Sequence, residues 1–498
     1  MQPELDALRT RLAELTDLRS ASAVLTWDQA NYMPAMGAGG RGRQLATLAR
    51  VHHEHLIDPE LGRLLERLAN ADLAPLDAAQ VRVTARDAEF ARRVPADLIA
   101  KVRGHCAETR QAWNAAKEAD DPRLVLDHLR TTVELSRAYS ACFDDAVHPA
   151  DPHIQAEDHG ATAASVGRLM KDLRAVLVPL VADIAAAEPI DDSMLHQLYP
   201  VDEQQALAAR IAASFGYDYR RGRQDLTAHP FMISFGHDDV RINTRFEPDD
   251  LARGLFSTMH EAGHGIYEQG LDPALAGTPL GSGTSAGVHE SQSRLWENLV
   301  GRSYGLWSQW FPALAAQFPK QLRGVDVPTF FRAVNNVRPK PIRRGSDEVT
   351  YNLHIAIRVD LEAQLLSGEL DVADLPDAWN ARYESDLGVT PPSHTEGFLQ
   401  DVHWYAFLIG GRFGSYAIGN ILAGQLYAAA CADHPEIPDA ITAGDTSVLL
   451  GWLRDRVHRH GRILDPDDLV QEATGKPLAV ADYGTYLRDK YTALYDLA

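Results

Sequence analysis

Leucines recur at three- and four-residue steps near the start of the chain, at Leu5, Leu8, Leu12, Leu15 and Leu18. That spacing lays an apolar stripe along one face of an α-helix. Similar steps run through residues 95–145 and 162–187 and predict more helix. From Tyr351 to Leu361 the odd positions are apolar, as in a strand. The charges at Arg358, Asp360 and Glu362, and the onward run through Leu365 and Leu366, predict a helix there instead. One stretch differs. Pro230–Phe235, the turn Gly236-His237-Asp238, and Asp239–Phe246 read as a hairpin. In its second arm Val240, Ile242, Thr244 and Phe246 alternate with Arg241, Asn243 and Arg245.

Pro248 is then expected to open a helix, with Asp249 and Asp250 in its first turn, where carboxylates suit the dipole. Leu251, Leu255, Met259 and Ile266 give that helix a buried stripe, and Gly270 is a plausible stop. The glycine-rich stretches 37–41 and 276–287 read as surface or active-site loops. A short sheet beside a helix has a use: an exposed edge strand can hold an extended peptide in register. No repeat, low-complexity tract or linker separates modules. Residues 1–498 therefore read as a single domain, with 1–220 mainly helical and 221–498 carrying the chemical motifs.

Charge narrows the partners. With 48 Lys+Arg against 69 Asp+Glu, the net charge is −21. A general nucleic-acid binder would present a basic stripe, so no nucleic acid is expected. An anionic membrane surface is disfavoured for the same reason. The most apolar stretch, Val176–Ala187, contains Pro179 and Asp183 and falls short of the roughly 18 residues a membrane span needs. The first residues, Met-Gln-Pro-Glu-Leu-Asp-Ala-Leu, do not read as a signal peptide. Cys106, Cys142 and Cys431 are odd in number and widely spaced, which points to free thiols in a reducing compartment, hence a cytoplasmic protein.

The chemistry centres on His260-Glu261-Ala262-Gly263-His264. On a helix the two histidines lie about 40° apart and can meet one metal ion. Glu261 sits beside them, where a general base could take a proton from a water that the metal activates. A third ligand is needed. Glu268, Asp272 and Glu290 are the candidates after the histidines. Glu290 is favoured because it starts a separate helical segment, Glu290–Val300, that could pack against the first.

Several blocks carry a resemblance. They are His229-Pro230-Phe231, Asp239-Val240-Arg241, His260–His264, His289-Glu290-Ser291-Gln292, Ile342–Asp347, and Gly397–Trp404, whose Gln400, Asp401, His403 and Trp404 stand at fixed spacing. In this order they resemble the motifs of the carboxypeptidase Taq family of zinc metallocarboxypeptidases. Trp27-Asp28-Gln29 extends the likeness towards the N-terminus. Asn243 and Ser346 depart from the family pattern, which has threonine and alanine there. Asn243 can still donate and accept hydrogen bonds, whereas Thr244 faces the other way in a strand and cannot replace it.

The resemblance implies a mainly α protein, two helical lobes around a deep active-site cleft with a small β-sheet beside the metal helix, and a homodimer. It implies a peptide hydrolase that removes single C-terminal residues. His260, His264 and Glu290 would hold the metal, Zn²⁺ or, with similar ligand demands, Co²⁺. Glu261 would be the base. Arg343 would dock the terminal carboxylate, since a guanidinium offers a bidentate fork. His403 and Tyr416 would contact substrate or the developing oxyanion, and Arg241 would brace the site or touch substrate. Two other readings remain: a helical zinc oligopeptidase cutting internal bonds, and a metal-free helical binding scaffold.

Overall fold

A computed structural model describes residues 1–497. Helix α1 (Gln2–Asn31) buries Leu5, Leu8, Leu12 and Leu15 against Leu61, Leu64, Leu65 and Leu68 of the Pro59–Ala69 helix. The predicted stripe is thus real, and the helix outruns it by three turns. The glycines at 37–41 do not form a loop. After a short turn at Ala35–Gly37, helix α2 (Ala38–Leu56) runs through Gly39, Gly40 and Gly42 and packs along α1. A side chain at those three glycines would meet only open space. Their helical cost of about 1 kcal/mol each is borne by the helix rather than repaid by close packing.

The 95–145 region is two helices, Ala96–Ala119 and Leu126–Ser140, separated after Asp120 turns left-handed at φ 50°. Helix α3 (Ala163–Ala186) starts at a capping box of Thr162 and Ser165 and tolerates Pro179 inside. The hairpin is present as β2 (Phe231–Ser234) antiparallel to β3 (Val240–Thr244). A strand that was too short to show a pattern, β1 (Gln224–Leu226), pairs parallel with β3, so β3 is central and β2 is an edge.

Helix α4 (Leu251–Gln269) begins three residues later than expected. The Pro248 carbonyl accepts from Tyr199 N–H at 2.7 Å and is drawn away from the helix. Asp250 is the cap, accepting from Arg253 N–H at 3.1 Å. Helix α5 (Ala286–Arg294) is capped by Ser285 and runs into a π-helical turn, Leu295–Val300. Glu290 therefore lies inside a helix rather than at its start. The glycine-rich 276–285 segment before it is a loop, as expected.

Two large apolar cores fill the molecule. One gathers Leu255, Met259 and Ile266 of α4 with Phe215, Trp296 and Trp307. The other gathers Leu173, Leu177 and Val181 of α3 with Leu353, Ile357 and Leu361 of helix α6 (Thr350–Ser367). Helix α7 (Arg412–Asp433) serves both, giving Ile418 and Ile421 to the second and Leu422 and Leu426 to the first. The expected mainly helical architecture with a small sheet beside the metal helix is what is seen. Among the described residues no helix is long and apolar enough to cross a membrane, and the three cysteines are free.

Helix α6 carries buried charge as well as apolar side chains. The Glu362 carboxylate accepts from Trp404 Nε1 at 2.7 Å and from Gly410 N–H at 3.1 Å, tying down the segment that follows His403. Burial pushes its pKa up to about 7. A carboxyl raised in the folded state stabilises fully below its unfolded pKa, and that contribution is lost as pH rises through about 7. Glu362→Gln cannot ionise. Its stability relative to wild type should therefore improve by about 2–3 kcal/mol between pH 5 and pH 8. Urea unfolding of both proteins at the two pH values measures this; parallel pH profiles would contradict it.

Candidate metal and peptide-binding site

His260 and His264 leave α4 on one side, with ring centroids 4.9 Å apart and planes at 83°. Glu290 comes from α5. Its Oε2 stands 3.7 Å from His260 Nε2 and 3.5 Å from His264 Nε2. A tetrahedral ion about 2.1 Å from each donor would separate donors by roughly 3.4 Å, so the spacing suits one. The other atoms of these side chains are already engaged. His260 Nδ1 meets Glu297 Oε2 at 2.8 Å, His264 Nδ1 meets His289 Nδ1 at 2.6 Å, and Glu290 Oε1 accepts from Arg294 Nε at 2.7 Å. Oε2 of Glu290 receives only a long 3.4 Å bond from Ser293. What remains are three inward-facing donors.

Close helix packing brings them together. A Cβ on Gly263 would lie 2.6 Å from the Gln292 carbonyl oxygen and 2.7 Å from Ser293 Cα. The backbone of α5 thus rests directly on α4. From the other side, a Cβ on Gly419 of α7 would lie 2.4 Å from Glu290 Cγ. Helix α5, which carries Glu290, is held between Gly263 on one side and Gly419 on the other.

Electrostatics sets the protonation of the group. Burial lowers His264 to about 3, which keeps its ring neutral and fit to bind a cation. Burial works the same way on His260, but the carboxylates of Glu290 and Glu297 outweigh it and raise that pKa. Burial would raise Glu290 and Glu297; Arg294 and His260 prevail and hold both low, Glu297 at about 2. Glu261 is buried beside the ligands and is pushed by that burial up to about 7, with His260 opposing and Glu290 and Glu297 reinforcing.

The two other ligand candidates are elsewhere. Glu268 reaches His289 Nε2 at 3.1 Å and accepts from Gly283 N–H at 3.2 Å. Asp272 caps a short turn through Ala274 N–H. Glu297 and Arg294 had no role in the sequence reading. Arg294 and Glu297, four and seven residues after Glu290, lie on its helix face, and that spacing was the available signal.

A second polar cluster centres on Asp401. Its Oδ2 accepts from Arg343 Nε at 2.7 Å and Arg358 Nε at 3.1 Å. Its Oδ1 accepts from Arg343 Nη2 at 3.1 Å and meets His403 Nδ1 at 2.5 Å. Burial opposes charge on Asp401, yet His403 and the two arginines hold it far below the carboxylate range. One edge of the Arg343 fork is therefore taken by Asp401. Its Nη1 has no protein partner among the described residues. The Arg343 guanidinium lies 5.9 Å from the Tyr416 ring centroid, and His403 lies 6.4 Å from it. Burial raises the Tyr416 phenol, and the neighbouring Tyr351 and Glu290 add to the effect.

Arg241 stands apart from both clusters. It pairs with Asp239 at 2.7 Å and lies 4.4 Å from the Trp27 ring and 4.7 Å from the Phe235 ring. Its neighbour Asn243 faces the same way. It accepts from Trp27 Nε1 at 3.0 Å and Asn31 Nδ2 at 2.8 Å, and donates to the Phe231 carbonyl at 3.0 Å. Thr244 faces α4 instead, accepting from Gln224, which also reaches Thr258. The asparagine thus ties α1 to the sheet.

A family model described as carboxypeptidase Taq (M32) metallopeptidase matches residues 7–491. The chain belongs to this family. Thermostable carboxypeptidase 1 of Thermus thermophilus is 39% identical over 496 residues, 97% of each chain. Carboxypeptidase 1 of Bacillus subtilis is 33% identical over 490 residues, again 97% of each. The crystal structure of the M32 carboxypeptidase from Deinococcus radiodurans R1 superposes with a TM-score of 0.98 at 44% identity, covering 99% of this chain and 100% of that one. The protein is accordingly a metallocarboxypeptidase, a peptide hydrolase of a class that uses a divalent metal. The donor set fits that class: two imidazole nitrogens and a carboxylate oxygen, each held from behind.

In this M32 enzyme the two glycine contacts should control the ligand spacing. Gly263→Ala is expected to cost about 1–3 kcal/mol of stability by forcing α4 and α5 apart. Gly419→Ala should push Glu290 directly and lower metal retention after dialysis more than it lowers the melting temperature. Metal content by mass spectrometry and thermal melts check both. Full metal content in Gly419→Ala would contradict the clamp.

Proposed function

We propose that the protein is a zinc carboxypeptidase that removes single C-terminal residues, with His260, His264 and Glu290 holding the ion and Glu261 as general base. The observation that carries this is the convergence of three donor atoms within 4.8 Å of one another, beside the buried carboxyl of Glu261. When bound, the ion polarises the scissile carbonyl and makes a water easier to deprotonate. Co²⁺ tolerates the same donors and is the alternative ion.

Glu261 takes the proton of the attacking water and returns it to the leaving amine. Its burial keeps bulk solvent from competing for that proton. Arg343 docks the substrate's terminal carboxylate. Asp401 fixes the guanidinium plane by taking Nε–H and one Nη2–H, so the Nη1/Nη2 end of the fork is left for substrate. Asp401 also receives His403 Nδ1, which leaves Nε2 for a carbonyl or oxyanion. The Tyr416 hydroxyl has no protein partner among the described residues, and burial keeps it protonated, hence a donor. Arg241 braces the hairpin against α1 and acts on substrate only through that placement.

Mass spectrometry of a peptide ladder tests the reading. Single C-terminal residues should disappear in sequence, chelator should stop the loss, and a C-terminally amidated peptide should resist. Glu261→Gln should lower kcat by about 10²–10⁴-fold with the zinc content kept. Arg343→Ala should lower kcat/KM on free-ended peptides by at least about 30-fold and erase the preference over the amide. Equal cleavage of free and amidated peptides would favour an oligopeptidase that cuts internal bonds.

A further inference from the structure

Two side chains, His289 and Glu268, continue outward from the metal ligand His264. His264 Nδ1 lies 2.6 Å from His289 Nδ1, and His289 Nε2 lies 3.1 Å from Glu268 Oε1. The same Oε1 accepts from Gly283 N–H at 3.2 Å. The order of protons along this chain follows from the chemistry of imidazole. If His264 gives Nε2 to a cation, its neutral ring must carry its proton at Nδ1. That proton can only be donated to a bare Nδ1 on His289. His289 then carries its own proton at Nε2 and donates it to the Glu268 carboxylate. One arrangement satisfies all three groups.

The surroundings hold the relay in place. His289 is packed by Tyr267, with ring centroids 5.0 Å apart. A Cβ on Gly283 would lie 2.6 Å from His289 Cδ2, so the loop before α5 presses its backbone on the imidazole. The Tyr267 hydroxyl accepts from Thr284 N–H at 3.3 Å, which fixes the same loop. Glu268 forms part of the wall of a cavity of about 320 Å³ bounded by α1, the edge strand β2 and residues 276–282.

We propose that His289 and Glu268 are positioning residues that fix the tautomer and plane of His264, and that the glycine loop, through Gly283, sets how tightly the metal is held. The proposal rests on the assignment of His264 as a metal ligand. Partners behind a metal-bound histidine orient it and strengthen it as a ligand, and losing one costs about 10- to 100-fold in metal affinity.

The test measures the zinc dissociation constant of the full-length protein by chelator competition, alongside the melting temperature of the metal-free form. His289→Ala leaves His264 Nδ1–H buried without an acceptor and should weaken zinc by about 10- to 100-fold. His289→Gln keeps an acceptor for His264 and a donor for Glu268, so it should recover much of that loss. Glu268→Gln and Gly283→Ala should each weaken zinc while the metal-free melting temperature stays near wild type. Unchanged affinity in His289→Ala would overturn the relay. So would equal losses in the Ala and Gln variants, or losses that only track the melting temperature. A wild-type protein that binds no zinc would instead overturn the metal assignment itself.

Discussion

The contact on which the site depends is a backbone one. Helices α4 and α5 approach until a single methyl at Gly263 would strike the main chain of Gln292 and Ser293. His260 and His264 lie on one helix and Glu290 on the other, so the distance between the axes sets the distance between the three donor atoms. A third helix, α7, closes from the far side at Gly419. Because α7 also contributes to both apolar cores, the same helix that clamps Glu290 joins the halves of the molecule.

Around that contact the protein buries an unusual number of charges. Burying an ion costs several kcal/mol unless it is paired and hydrogen-bonded. Here the main charges are paired, although Arg358 Nη2 is buried without a partner among the described residues. Arg294 serves Glu290 and Glu297, and Asp401 serves Arg343, Arg358 and His403. Such networks are weak sources of stability, but they fix side chains in place before substrate arrives. Glu261 is the exception. Among the described residues no hydrogen bond holds its carboxylate, and burial raises its pKa to about 7.

Much of this was legible in the sequence where periodicity or spacing carried it. The α1 stripe and the hairpin follow from the order of apolar residues, whereas the helix at 350–367 shows through the charges at Arg358, Asp360 and Glu362 that break a strand-like alternation. The three metal donors predicted from the His-Glu-Ala-Gly-His pentapeptide and the Glu290 block do converge. Other features had no one-dimensional signature. Strand β1 has three residues and no alternation to read. The glycines at 37–41 suggested a loop because their helical cost is local, while the packing of α2 on α1 is not. The start of α4 slipped because the Pro248 carbonyl is claimed by Tyr199, some fifty positions earlier. Arg343 was read as an open fork since Asp401, which occupies one edge, is 58 residues away. Glu268 was a ligand candidate by distance along the helix, yet His289 stands between it and the metal position.

The most direct measurement is a crystal structure of the zinc-loaded protein with anomalous data at the zinc edge. The account requires one strong peak about 2.0–2.2 Å from His260 Nε2, His264 Nε2 and Glu290 Oε2. His289 should remain bonded behind His264. A peak held by Glu268 or Asp272, or none between α4 and α5, would contradict it.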